Sequence, residues 1–302
     1  MKDSNALTSK LNVNDSWLGM GLAETSTCNN YKNSINLEKN IRYAINKGLK
    51  IFDVAPNYHE GRAEIALGKE LSSLKNSKEI TIFTKVGQLT QSEITKNRHW
   101  CFSPEFVNSS IKRSISRLGN MEPDCVFLHN PEDDLSDSCD FLEKFSSTID
   151  ILEHLSKSNT IKGWGISSWS GFFHNKRPPK LVLTNILEFL KSSYVKHHLL
   201  AIQFPLGQWN LKTFLNSKLK ETNYFEGHTF MKNALSNNLK VVINSPFYGG
   251  EKIPIKEKRD GLSTAQQELL AIKNIFPDSI RLIGMNRKST IDEAAELQQI
   301  ED

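Results

Sequence analysis

The sequence predicts a single (β/α)8 barrel, and two observations lead to that fold class. Short apolar runs alternate with amphipathic segments eight times from residue 17 onward. The apolar runs show little internal alternation, as is typical of parallel strands covered on both faces. No Pro-, Gly- or Ser-rich linker divides the 302 residues. We therefore expect one domain over 1–302, with 1–16 as an N-terminal extension; an open doubly wound sheet is the alternative.

The first four repeats begin with runs rich in Val, Ile and Phe that are usually followed by Gly, Pro, Asn or Ser. These runs predict strands at 17–21, 50–54, 80–85 and 124–129. Apolar residues at three- and four-residue spacing predict helices at 34–48, 62–74, 103–118 and 140–157. The third helix has a clear start, because Ser103 suits the N-cap, Pro104 the first turn and Glu105 the positive end of the helix dipole.

The last four repeats follow the same pattern. Strands are predicted at 162–166, 199–204, 240–244 and 280–284, and helices at 181–194, 225–238, 263–275 and 290–300. Ser263 and Thr290 are the predicted N-caps of the last two helices. The connections 130–139 and 205–224 are long for links from strand to helix, and a barrel places both at its C-terminal face, where substrate loops lie.

Composition excludes several classes of protein. A chain with 38% hydrophobic and 24% charged residues is globular rather than disordered. A net charge of +4 is too small to indicate nucleic acid as the main partner. No apolar run reaches the ~18 residues of a membrane helix, and the N-terminus has no hydrophobic signal region. We expect a cytoplasmic protein with reduced thiols and no metal site, because the cysteines are scattered, at Cys28, Cys101, Cys125 and Cys139.

Polar residues at the ends of three strands are the candidate catalytic groups. Asp53 and Tyr58 lie in KIFDVAPNYHEG, Lys85 ends TIFTKVG, and His129 ends DCVFLH. A barrel brings strand ends together at one face, and a lysine in a buried strand needs a counter-charge, which Asp53 could supply.

This set suits proton transfer to a carbonyl oxygen. A phenol has an ordinary pKa of about 10, and a neighbouring ammonium group lowers it. Tyr58 would then give a proton to the oxygen as hydride reaches carbon, with Asp53 orienting Lys85 and His129 sharing a hydrogen bond with the substrate. Such general acid catalysis contributes roughly 10²–10⁴-fold.

The segments GLKIFDVAPNYHEGRAEIALGKEL, TIFTKVG and FLHNPE resemble three signature stretches of the aldo/keto reductase superfamily. The resemblance runs from about residue 17 to 297 and implies a metal-free, NADPH-dependent barrel, with NADH less favoured. It maps the family's tetrad onto Asp53, Tyr58, Lys85 and His129. The proline in DVAPNY and the ending HNPE look more like the sugar and small-aldehyde branches than the steroid branch.

The resemblance also implies a cofactor site, in which the nicotinamide crosses the barrel mouth and Arg287 and Lys288 meet the 2′-phosphate. Ser168, Asn244 and Ala294 depart from the residues that are usual in the family. Glu293 falls where an acid contacts the adenine amine. The full predicted set is Gly21, Asp53, Ser167, Ser168, Gln203, Asn244, Ser245, Phe247, Gly249, Gly284, Asn286, Arg287, Lys288 and Glu293.

Aromatic residues and the segment 22–30 are expected at the substrate pocket. Trp169 and Trp209 are the strongest candidates, and the others are Trp100, Phe102, Phe172 and Phe247.

The predicted function is reduction of a small aldehyde, ketone or sugar, or the reverse oxidation, by a monomer or weak homo-oligomer. An NADPH-binding sensor or regulatory subunit is one alternative. A biosynthetic reductase with a dedicated complex substrate is another, which the three departures favour.

Overall fold

Eight parallel strands close into a barrel in chain order, and β8 pairs with β1. The structure is a computed structural model that describes residues 11, 13, 16–23, 34–74, 77–136, 140–173, 179–216, 227–248 and 261–300, with backbone alone at 34–36 and 213. The strands are β1 (Leu18–Gly21), β2 (Ile51–Asp53), β3 (Thr81–Val86), β4 (Cys125–His129), β5 (Trp164–Ser167), β6 (Leu199–Pro205), β7 (Lys240–Asn244) and β8 (Ile280–Gly284). The predicted (β/α)8 fold is confirmed.

Helices connect the strands around the outside of the barrel. They are α1 (Ser34–Asn46), α2 (Arg62–Ser72), α3 (Pro104–Arg117), α4 (Phe141–Lys157), α5 (Leu183–Ser193), α6 (Gln208–Asn216), α7 (Gly227–Ser236), α8 (Thr264–Ile275) and α9 (Lys288–Gln298). Within the described ranges, no helix combines the length and the apolar character needed to cross a membrane.

Alternation along the strands places polar side chains above an apolar plug. One buried cluster inside the barrel includes Ile51, Phe83, Phe127, Ala201, Val242 and Leu282. Because side chains repeat their direction every two residues, the next inward positions on the same strands are the strand tips. Those positions hold Asp53, Lys85, His129, Gln203, Asn244 and Gly284. Because this alternation is the same in each of these strands, the polar side chains at the strand tips lie together at one end of the barrel.

The outer face of the barrel is covered by two apolar clusters. One packs α3 to α7 against β4 to β7, and its largest buried side chains include Trp164 and Phe204. The other packs α1, α2 and α9 against β1 and β2, around Leu18 and Phe52. Because strands buried between a plug and a helix layer have no solvent-facing side, their sequences read as continuous apolar runs.

The helix ends confirm two predicted caps and correct a third. Ser103 accepts from Phe106 N, and Ser263 forms a capping box with Gln266. Thr290 is not an N-cap, because α9 already begins at Lys288 after the extended Arg287. The Thr290 hydroxyl instead donates to the Arg287 carbonyl oxygen at 2.7 Å, which closes the first turn.

Helix α6 lies in the connection 205–224, for which only a long link and no helix was predicted. It forms because its apolar residues pack against the outer apolar cluster of the barrel. Phe214 is fully buried and stacks on Phe204 of β6, with ring centroids 5.6 Å apart. Leu211 and Leu215 pack against the same cluster from partly buried positions.

Candidate active site

The tips of β2 and β3 carry a buried ion pair. Lys85 Nζ lies 2.5 Å from Asp53 Oδ2 and also donates to the Val54 carbonyl oxygen at 3.2 Å. Both side chains are buried, so each charge offsets the desolvation cost of the other. Burial lowers the pKa of Lys85, but the nearby Asp53 and Tyr58 raise it by more, and the net pKa lies above the ordinary lysine value. Lys85 is therefore a cation at neutral pH.

Two residues from the far side of the barrel fix the other Asp53 oxygen. Gln203 Nε2 donates to Asp53 Oδ1 at 3.1 Å, and Ser167 Oγ donates to Gln203 Oε1 at 2.5 Å. All three side chains are buried, and neighbouring strand register places Ser167 beside Gln203. Both carboxylate oxygens are thus occupied, and the Gln203 amide that was predicted to meet the cofactor is bonded to Asp53 and Ser167.

Tyr58 lies in a short 3-10 turn, Tyr58–Gly61, five residues beyond the tip of β2. Lys85 Nζ is 4.7 Å from the centroid of its ring, so the ammonium acts on the phenol at close range. Burial raises the pKa of Tyr58, the Lys85 cation lowers it, and the Asp53 carboxylate raises it again, so the net pKa is above the ordinary value. The expected lowering by Lys85 is present, but burial outweighs it, and the phenol keeps its proton at neutral pH.

His129 lies on the other side of Tyr58. The two rings meet edge to face, with centroids 6.0 Å apart and an interplanar angle of 83°. Burial and, second, the Lys85 cation lower the pKa of His129 well below the ordinary histidine value. The imidazole is therefore neutral at pH 7, and it can act through hydrogen bonds but not as a cation.

A cavity of about 470 Å³ runs from these four side chains to the N-terminal ends of α8 and α9. Its lining includes most of the predicted site residues, namely Gly21, Asp53, Tyr58, Lys85, His129, Ser167, Trp169, Asn244, Ser245, Phe247, Gly284, Asn286, Arg287 and Glu293. Among the described residues, the predicted ones that do not line it are Ser168, Gln203, Lys288, Trp100, Phe102, Phe172 and Trp209. Gly249, residues 24–30, Cys28 and Cys139 lie outside the described residues.

Ser168 lies in a turn that is held from below by a buried carboxylate. Glu132 Oε1 accepts from Ser170 N at 2.9 Å, and Ser168 Oγ accepts from Gly171 N at 2.7 Å. Burial raises the pKa of Glu132, and the hydrogen bond from Ser170 N lowers it by less. Ser168 therefore closes the turn, and this turn places Trp169 at the mouth of the cavity with 45% of its surface exposed.

Trp169 faces Tyr248, an aromatic residue outside the predicted site. Its ring centroid lies 6.2 Å from that of Tyr248, and Tyr248 lies 4.8 Å from Trp209 of α6. Trp209 also donates from Nε1 to the Ser245 carbonyl oxygen at 3.3 Å. Tyr248 directly follows Phe247, a predicted pocket residue, and this second aromatic side chain after β7 was the available signal. Three aromatic rings from three connections thus contact one another in a row, and of these Trp169 lines the cavity.

Three other aromatic candidates have different positions. Phe102 and Phe172 belong to the outer apolar cluster and are buried, so the expectation that they line the pocket is wrong. Trp100 packs against the same cluster from the connection after β3. All three rings are apolar enough to be taken into the layer between strands and helices, which sequence spacing alone does not distinguish from the mouth.

The far end of the cavity has one cation directed at it and another held away. Arg287 lines the cavity at the N-terminus of α9 and is exposed. Lys288 Nζ lies 5.1 Å from the centroid of the Tyr43 ring, on the side of α9 that faces α1. Glu293 also lines this end, and its Oε2 accepts from Ser263 Oγ at 2.8 Å. Asn286 lines the same end of the cavity.

Comparisons with known proteins give consistent results. A curated D-arabinose 1-dehydrogenase of Saccharomyces cerevisiae is 34% identical over 136 residues, which cover 44% of this chain and 35% of that enzyme. A D-threo-aldose 1-dehydrogenase of a Pseudomonas species is 28% identical over 138 residues, covering 40% of each. The chain thus spans less than half the length of these relatives.

Solved structures show the same fold. An aldo/keto reductase of Klebsiella pneumoniae in complex with NADP and acetate superposes with a TM-score of 0.61 at 16% identity, over 94% of this chain and 86% of that one. The holo form of an aldo-keto reductase of Bacillus halodurans gives a TM-score of 0.63 at 17% identity, over 94% and 87%.

The sequence profile of the aldo/keto reductase family matches residues 17–173, more than half of the chain. That segment contains the turn with Tyr58, the tips of β2, β3 and β4, and the strand that carries Ser167. The protein belongs to the aldo/keto reductase family.

Proposed function

We propose that this protein is an NADPH-dependent oxidoreductase that reduces an aldehyde or ketone to an alcohol, with Tyr58 as the general acid. The observation that carries the proposal is the gathering of Tyr58, Lys85, Asp53 and His129 on the floor of one cavity. These residues come from three strands and one turn, and a merely structural ion pair would not need a phenol and a neutral imidazole beside it.

Each side chain has a distinct task. Tyr58 donates its proton to the carbonyl oxygen and takes a proton back in the reverse direction. Lys85 offsets the negative charge left on the phenolate, and Asp53 keeps Lys85 charged and in place. His129 hydrogen-bonds the same oxygen as a neutral group. Because the pKa of Tyr58 is raised, the protonated phenol that reduction needs is present at neutral pH, and the phenolate that the reverse oxidation needs forms only as the pH rises.

The cavity fits NADPH by the chemistry of its lining. When bound, NADPH supplies the hydride for the carbonyl carbon. Among the described residues, the buried side-chain oxygen of Asn244 has no hydrogen-bond partner and lines the cavity near Tyr58, where an amide N–H could meet it. At the other end Arg287 and the N-terminal N–H groups of α9 would hold the 2′-phosphate. Asn244 cannot provide the ring face of an aromatic residue, so stacking on the nicotinamide is weak at this position.

Sugars in their open or cyclic form are the favoured substrate class. The two curated relatives are named as aldose dehydrogenases. Trp169 lines the cavity and presents a ring face of the kind that packs against the C–H faces of a sugar, and Tyr248 and Trp209 support it from behind as neighbouring rings.

The test is NADPH oxidation with a panel of aldoses, keto-sugars and small aldehydes. We expect turnover with at least one class, and a loss of roughly 10²–10⁴-fold in Tyr58→Phe with NADPH binding retained. Tyr194→Phe is the control, because that hydroxyl bonds Asp150 at the opposite end of the barrel. Unchanged turnover in Tyr58→Phe would exclude Tyr58 as the acid. NADPH binding with no turnover on any substrate would instead favour a sensor or a dedicated biosynthetic enzyme.

A further inference from the structure

The turn that carries Tyr58 has a strained backbone. His59 and Glu60 have φ values of 51° and 58°, and Gly61 follows at 79°. Glycine adopts this left-handed region freely, whereas other residues do so at a cost. Two consecutive non-glycine residues in this conformation persist only where surrounding contacts hold them. Both come directly after Tyr58.

The side chain of Glu60 makes such a contact. Its Oε1 accepts from Gln91 N at 2.7 Å and its Oε2 accepts from Ser92 N at 3.2 Å. These two N–H groups open a single helical turn, in which Glu93 N and Ile94 N both bond to the Thr90 carbonyl oxygen. The first N–H groups of such a turn have no partner inside it, and they favour a negative charge.

The turn 90–94 belongs to the connection that follows Lys85 on β3. Glu60 therefore joins the chain segment that carries the phenol to the segment that follows the ammonium group. It does not line the cavity, so it has no direct part in binding or chemistry. The charged and titratable groups that face Tyr58 itself are Lys85, Asp53 and His129.

We propose that Glu60 is a positioning residue that clamps the strained turn 58–61 onto the turn 90–94 and so holds the Tyr58 hydroxyl against Lys85. The effect on turnover rests on the proposed function, whereas the effect on the position of Tyr58 does not. The strain supplies the reason for the clamp, because a relaxed turn would carry the phenol away from the ammonium group.

Two variants and one control test the clamp. Glu60→Gly removes the carboxylate and also relieves the strained φ, so it separates loss of the clamp from loss of stability. Glu60→Gln keeps one acceptor oxygen. The control is Glu93→Gln, because Glu93 accepts from Thr90 N at 3.1 Å and pairs with Arg113 at 3.1 Å. Glu93 thus stabilises the same turn without touching the segment of Tyr58.

We expect kcat to fall about tenfold in Glu60→Gly and by less in Glu60→Gln, because the acid is no longer held in place. The KM for the substrate and the affinity for NADPH should change little, since the cavity lining is intact. Glu93→Gln should lower the thermal midpoint but keep the kcat of the wild type. If the role of Glu60 were purely structural, Glu60→Gly would keep a normal kcat.

A second readout needs no turnover. Carbon-13 NMR of ring-labelled tyrosine, with the Tyr58 signal assigned by its absence in Tyr58→Phe, gives the pKa of that phenol. In Glu60→Gly we expect this pKa to move down toward the ordinary tyrosine value, because the turn exposes the ring. A wild type that is inactive on every substrate would count against the proposed function and leave this titration valid. An unshifted Tyr58 pKa with unchanged kcat in Glu60→Gly would overturn the clamp.

Discussion

At the scale of single residues, the site depends on a buried lysine that stays charged. Lys85 keeps its proton because Asp53 lies 2.5 Å away and because Gln203 fixes the other oxygen of that carboxylate. The same cation depresses the pKa of His129 and stabilises the phenolate of Tyr58. Burial is the larger influence on the pKa at both residues, so the imidazole is neutral and the phenol keeps its proton, while the ammonium group is in place to offset the charge of a phenolate.

The ion pair gives a prediction about stability. Removing one partner leaves a buried charge, so Asp53→Asn or Lys85→Met should each lower the free energy of unfolding by about 3–5 kcal/mol. The double variant should cost much less than the two single costs together, since no unpaired charge remains. Urea unfolding of all four proteins measures this coupling. Strictly additive costs would contradict the pairing.

The pH dependence of that pair has a definite sign. The pKa of Lys85 is raised in the folded protein, so its contribution is fully present below the ordinary lysine value of 10.5 and is lost as the pH rises through the folded value. The destabilisation caused by Lys85→Met should therefore shrink above about pH 10.5, and a constant difference at alkaline pH would contradict the sign.

At the scale of elements, the connection after β4 supports the connection after β5. Glu132 lies in the short turn Pro131–Asp134 and bonds Ser170 N, one residue after Trp169. Glu132 is the last residue of the sequence segment HNPE, but its hydrogen-bond partner is 38 residues away along the chain. Its contact across two connections decides where the indole of Trp169 sits.

Two substitutions at Glu132 separate its hydrogen bond from its charge. Glu132→Ala leaves Ser170 N without its partner and should cost about 1–3 kcal/mol, with a changed Trp169 emission. Glu132→Gln keeps an acceptor oxygen and should preserve the emission. Because the raised pKa means that ionisation costs stability, Glu132→Gln should gain relative to wild type as the pH rises above 4.5. Thermal midpoints of both proteins across pH 4–7 test this prediction. A loss of stability in Glu132→Gln relative to wild type as the pH rises would contradict it.

The N-terminus of α9 gives a prediction about cofactor choice. Arg287→Ala should weaken NADPH binding by about tenfold or more and leave NADH binding unchanged, because a charged hydrogen bond to phosphate contributes about 1.5–3 kcal/mol. Quenching of tryptophan fluorescence by each nucleotide measures both affinities.

Lys288→Ala is the matched control for Arg287→Ala. The family resemblance implied that Lys288 meets the same phosphate, but its ammonium packs over Tyr43 instead. We therefore expect Lys288→Ala to leave NADPH affinity nearly intact. An equal loss in both variants would contradict the separation of the two cations.

At the scale of the whole molecule, closure of the barrel limits the space at inward positions. A Cβ on Gly165 of β5 would lie 2.6 Å from the Phe127 ring and 2.7 Å from the Ala201 carbonyl oxygen. Gly165→Ala should lower the free energy of unfolding by about 1–3 kcal/mol, measured in urea. Gly284→Ala is the control, because nothing lies within 4 Å of its added Cβ. An equal cost in both would refute the packing argument.

The sequence by itself determined the order of strands and helices and placed Asp53, Lys85 and His129 at strand tips. Those features are local, because a strand's period of two and a helix's apolar spacing are written within about ten residues. Thus β7 and β8 have the bounds that were predicted. Helix α6 was not predicted, because the apolar face of this helix packs on Phe204, which belongs to a different element.

Only the tertiary structure decided which of these groups meet. Gln203 reaches Asp53 across 150 residues, and Glu60 reaches Gln91 across 31. Ser168 turned out to close a turn, and Phe102 and Phe172 to fill the outer layer. Such contacts depend on strand register and on closure of the barrel, which are set by the packing of the whole chain rather than by any short segment.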